Sequence, residues 1–161
     1  MHFSLSKLFL AVGMAALACA GMLSPTRLWA TSITSLTIAL FAVTAIRAIG
    51  LQGRERVFAI TFALVGTGYL VLVFSKISEA LITDYPLALL ADARHITPSE
   101  RPPFDNTKAG FFYWTTMISN GGDPITQFFR VGHCVWSWLL ALFAGWFASH
   151  VYAKAKRTQK A

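Results

Sequence analysis

The stretch 131-VGHCVWSWLLALFAGWFASHVYA-153 runs for 23 residues without Asp, Glu, Lys or Arg. At ~1.5 Å of helical rise per residue, such a run is long enough to cross the ~30 Å hydrocarbon core of a bilayer. Lipid offers no partner for unpaired backbone groups, so a helix is the form this run takes there. Three more charge-free runs precede it, at 8–26, 28–46 and 57–75. Together they predict one membrane domain of the all-α class. It is an integral membrane four-helix bundle with spans at about 6–24, 30–49, 57–76 and 131–153.

The composition of the 161-residue chain agrees. Hydrophobic residues make up 55% and charged residues 13%, against ~25% charged in an average soluble domain. That excludes a disordered chain and argues against a free soluble enzyme.

Between the third and fourth runs lies a polar excursion, 77–130, with five of the six prolines and six of the seven acids. It reads as a partly helical outer loop cap. Asp84-Tyr85-Pro86 has the form of a helix start, an aspartate cap with a proline in the first turn, which predicts a short helix over about 85–94. The 109–122 run is too short to span. Its Phe111-Phe112-Tyr113-Trp114 cluster suits the headgroup level. Asn120-Gly121-Gly122-Asp123-Pro124 reads as a turn. No internal repeat of the kind found in many transporters is present.

Charge fixes an expected orientation. Lys7, Arg47, Arg54, Arg56, Lys154, Lys156, Arg157 and Lys160 fall on one side with Glu55 alone, a net of +7. On the other side Arg27, Lys76, Arg94, Arg101, Lys108 and Arg130 balance six acids. Lys and Arg collect on cytoplasmic loops, so both termini are expected in the cytoplasm of a multi-pass bacterial inner membrane protein. The same distribution accounts for the basic surplus without nucleic acid. The first run also has the form of a cleavable signal peptide ending at Ala18-Cys19-Ala20. Its apolar character continues past Ala20, which favours a retained anchor.

Ser137, Ala141, Gly145 and Ser149 recur every fourth residue, a stripe of small side chains on one helix face. In lipid such stripes let helix backbones approach closely. The stripe either closes the bundle or docks a membrane protein partner or a second copy. Gly66 and Gly68 are read as further close-contact points. The hydroxyls of Thr31, Ser32, Thr34, Ser35 and Thr37 are expected to bond backbone carbonyls.

Few residues suggest chemistry. His133 and His150 lie ~25 Å apart along one helix, a spacing that suits two stacked haems. No histidine in the other three runs supplies second ligands, so both are expected at helix ends, solvated or hydrogen-bonded. Arg130, one turn from His133, and the Arg94-His95 pair give a basic patch suited to a lipid phosphate or a quinone oxygen. Cys19 and Cys134 are expected as free buried thiols. No cofactor, metal centre, carboxylate dyad or nucleotide fingerprint is predicted.

Phe3-Ser4-Leu5 before Leu8, Arg54–Arg56 before Phe62-Ala63-Leu64 and Gly68-Tyr69-Leu70, and Gly132-His133 before a basic tail form a recognisable sequence. It resembles a set of small uncharacterised bacterial polytopic membrane proteins. Ser6 departs from that pattern, where a basic residue is usual. The small first and large second outer loops are similar to tetraspanins, but the large loop lacks their Cys-Cys-Gly. The resemblance implies a membrane location and no activity. The functional expectation is a non-enzymatic accessory or scaffold subunit of a membrane complex. Alternatives are an oligomeric permeation or lipid-handling protein and a haem- or quinone-binding redox subunit.

Overall fold

The computed structural model describes residues 5–74, 82–94 and 124–158, with side chains from residue 12. Among these the chain is all-helical: α1 (Leu5–Leu23), α2 (Arg27–Gly50), α3 (Gly53–Phe74), α4 (Asp84–Ala93) and α5 (Pro124–Thr158). Three of them, α2, α3 and α5, are long and apolar enough to cross a membrane. The 19 residues of α1 extend ~28 Å. The 109–122 aromatic run, the 98–104 proline stretch, the 120–123 turn and His95 lie outside the described residues.

Local chemistry sets the boundaries. Pro25 cannot continue α1, because it has no N–H to donate. Thr26 then caps α2, its Oγ1 accepting the N–H of Trp29 at 3.3 Å, as Thr does at this position. The start of α4 differs from expectation. Thr83, not Asp84, is the N-cap residue, and it makes no side-chain cap bond. Its φ/ψ of −77°/−14° is already helical, whereas a capping hydroxyl needs an extended backbone to reach forward. Asp84 instead places its carboxylate in the first turn, where the helix dipole favours it.

The last helix begins at Pro124 and runs 35 residues, so the outer excursion ends sooner than expected and 124–130 is helical. Proline is pre-set for the first helical position. Arg130 is half-buried and does not interrupt the helix, since a charge placed beside water or protein costs no backbone bond.

Only Leu51 and Gln52 join α2 to α3. Gly53 follows at φ +58° with open space around its Cα, so backbone conformation rather than crowding requires glycine here. Gly53→Ala should lower stability by about 1 kcal/mol, read as an earlier midpoint in denaturing-detergent titration. Gly50→Ala, also in open space, should leave the midpoint in place.

The described elements form two compact units. In the first are α1, α2 through Thr34, α4, and α5 through Gly132. Its core is Ala30, Ile33, Leu87, Ala91, Phe128 and Val131. Gly21 lies against Ile33 and Val131, and Gly132 against Leu87. The second unit holds α2 from Ser35, α3, and α5 from His133. There Phe41 meets Phe62 edge-on at 5.3 Å, and Phe62 stacks on Phe58 at 5.9 Å.

Candidate functional site

The second unit is built around α5. Position 137 and every fourth residue after it face inward: Ser137 and Ala141 are fully buried, and Gly145 and Ser149 are buried as well. A Cβ on Gly145 would stand 3.0 Å from the Phe58 ring and 3.1 Å from the Phe58 carbonyl oxygen. The small stripe is therefore covered by the chain's own residues. Ser137 and Ser149 turn their hydroxyls back to the carbonyls of Cys134 and Trp146, at 2.7 and 2.8 Å. This satisfies the hydroxyls inside the helix where no water reaches.

Buried polar contacts cross between helices in this unit. The Tyr69 hydroxyl on α3 lies 3.0 Å from Nδ1 of His133 on α5. The indole N–H of Trp138 donates to Oγ1 of Thr37 on α2, at 3.0 Å. His133, Thr37 and Ser137 have no exposed surface. These contacts also fix the helix directions. Residue 69 meets 133 and residue 58 meets 145, so α3 runs antiparallel to α5. The α2–α3 turn and the end of α5 therefore share one end of the unit.

Several predicted site residues fall elsewhere than expected. His133 is hydrogen-bonded, one of the two environments expected of it, but it does not lie at a helix end. The six residues of α5 before Arg130 place it inside the helix, and neighbouring side chains cover it completely. His150 is exposed and stacks on Trp146 at 5.8 Å. Arg130 is half-buried on the same helix. Arg94 is exposed and its guanidinium donates to the Met22 carbonyl at 3.3 Å. It thus satisfies one of the open carbonyls that every helix C-terminus leaves, here that of α1.

Cys19 and Cys134 are both free, but Cys19 is exposed and Cys134 alone is buried. Gly66 packs beneath the Phe41 ring, whereas nothing lies within 4 Å of a Cβ on Gly68. The two positions point ~200° apart on a helix, so only one can face the same neighbour. Thr34 donates to the Ala30 carbonyl at 2.7 Å as expected. Thr37 also receives the Trp138 indole, a partner 101 residues away that no local pattern reveals. Tyr69 was likewise missed; an aromatic hydroxyl within an apolar run is the one signal that points to it.

As a whole the site is a polar seam inside an apolar unit. It holds helices in register, and its side chains are buried. The chain matches no family model, no curated protein and no solved structure.

Proposed function

We propose that this chain is a multi-pass protein of the bacterial inner membrane with both termini in the cytoplasm. In this reading α1, α2, α3 and α5 form a four-helix bundle, and the segment between α3 and α5 lies outside as a cap carrying α4. Its role is that of a non-enzymatic accessory or scaffold subunit of a membrane complex. The observation that carries the reading is the outward surface of the long helices. Ile49 is 81% exposed, Leu64 68% and Phe143 66%. A surface this apolar needs lipid or a protein partner to cover it. The helix directions in the second unit add support, because they gather Arg47, Arg54, Arg56, Lys154, Lys156 and Arg157 at one end, as cytoplasmic ends do.

Carbonate washing of vesicles should leave the protein in the membrane, and a reporter fused after Ala161 should be active in the cytoplasm. Release by carbonate, or a periplasmic signal, would contradict the membrane reading. Purification in mild detergent should bring down a stoichiometric membrane protein that persists through gel filtration. A homo-oligomer that conducts solutes in liposomes would replace the scaffold role with permeation.

A further inference from the structure

The face of α5 opposite its buried stripe carries an ordered run of side chains. Phe143, Trp146, Phe147, His150, Lys154 and Arg157 follow at spacings of three and four, which keeps them within one ~100° sector of the helix. All six are exposed. The rings lie over one another in pairs: Phe143 on Phe147 at 6.4 Å and 15°, Trp146 on His150 at 5.8 Å and 23°. They form an aromatic strip, tilted by 38° between Phe143 and Trp146, that leads into two cations. From Phe143 to Lys154 is ~16 Å along the axis, close to the ~15 Å of one hydrocarbon leaflet.

The charge around the end of this strip is one-sided. Among the described residues, Arg47, Arg54, Arg56 and Lys156 join Lys154 and Arg157 at that end of the unit, opposed by Glu55 alone. We infer that the Phe143–Arg157 face of α5 is a binding site for an anionic phospholipid of the cytoplasmic leaflet. The inference rests on the membrane reading above. Lys154 and Arg157 take the headgroup phosphate. His150 lies ~6 Å deeper, at the glycerol level where amphipathic rings settle, and Trp146 ~12 Å deeper, at the acyl-chain depth of Phe143 and Phe147. Phe143 and Phe147 carry an acyl chain. The occupant is a lipid, since Lys154 and Arg157 end the strip and a negatively charged headgroup complements them, whereas an apolar partner helix would leave both cations unmatched.

The test uses the full chain reconstituted in phosphatidylglycerol/phosphatidylcholine vesicles, with brominated acyl chains on one lipid or the other. Trp146 fluorescence is isolated as the difference between wild type and Trp146→Phe. Brominated phosphatidylglycerol should quench Trp146 with about ten-fold preference over its phosphatidylcholine counterpart, given about five-fold per cation near the surface and loss to salt screening. The double variant Lys154→Gln/Arg157→Gln should bring the preference close to parity. The charge-keeping pair Lys154→Arg/Arg157→Lys should retain it. Equal quenching of wild type by both lipids would overturn the inference. So would an unquenched Trp146 beside quenched tryptophans elsewhere, which would mean that protein covers this face. If no tryptophan is quenched by either lipid, the membrane reading itself fails.

Discussion

A leucine at position 66 should cost the protein about 3 kcal/mol or prevent it from accumulating. Gly66 is buried beneath the Phe41 ring, and a Cβ added there would overlap three ring atoms. The ring has little room to move, because Phe62 holds it edge-on at 5.3 Å. Overpacking of a filled core costs ~1–3 kcal/mol and sometimes more, a large part of a total stability of ~5–15 kcal/mol. Phe41→Ala alone should also be destabilising, by about 3 kcal/mol, because it leaves a cavity. Combined, Gly66→Leu and Phe41→Ala should cost clearly less than the sum, since the new side chain fills the space the ring vacates. Denaturing-detergent titration of the four proteins gives this comparison. Gly68→Leu is the internal control. It meets nothing within 4 Å, and glycine is a poorer helix former than leucine, so stability should hold or rise slightly.

His133→Leu should be the next most damaging change, at about 2–3 kcal/mol. It removes the partner that sits 3.0 Å from the Tyr69 hydroxyl in a fully buried position. A buried polar group that loses its partner costs ~1–3 kcal/mol, and leucine does not match the imidazole shape. Tyr69→Phe should cost less, about 1 kcal/mol, because the ring stays and only the hydroxyl goes. The double variant then gives the coupling between the two groups. Interhelical hydrogen bonds in a membrane protein have averaged ~0.6 kcal/mol by this measure, with a maximum near 1.7. A coupling indistinguishable from zero would show that the Tyr69–His133 contact itself adds nothing to stability.

The helices were legible because charge-free runs of this length have few other solutions. The small stripe of α5 was legible too. A residue every fourth position occupies one face of any helix, and a face built of Ser, Ala and Gly suits close packing. Depth along α5 was not legible. Arg130 looked like a boundary, yet Pro124 had already started the helix, so His133 lies in the interior rather than at an end. The partners of the seam were hidden for a different reason. Tyr69 and His133 are 64 residues apart, and Thr37 and Trp138 are 101 apart. Periodicity shows that a residue faces inward but does not name what it faces. The same blindness made Gly66 and Gly68 look equivalent and left Cys19 on the wrong side of its helix.

The long separation between the seam's partners has a bearing on biogenesis. At ~5–20 residues per second, Trp138 leaves the ribosome about 5–20 s after Thr37. During that interval the nascent α2–α3 hairpin holds polar side chains whose contacts on α5 do not yet exist. Chaperones and proteases meet it in that state. Completion of α5 is thus the step at which quality control can tell a paired seam from an unpaired one.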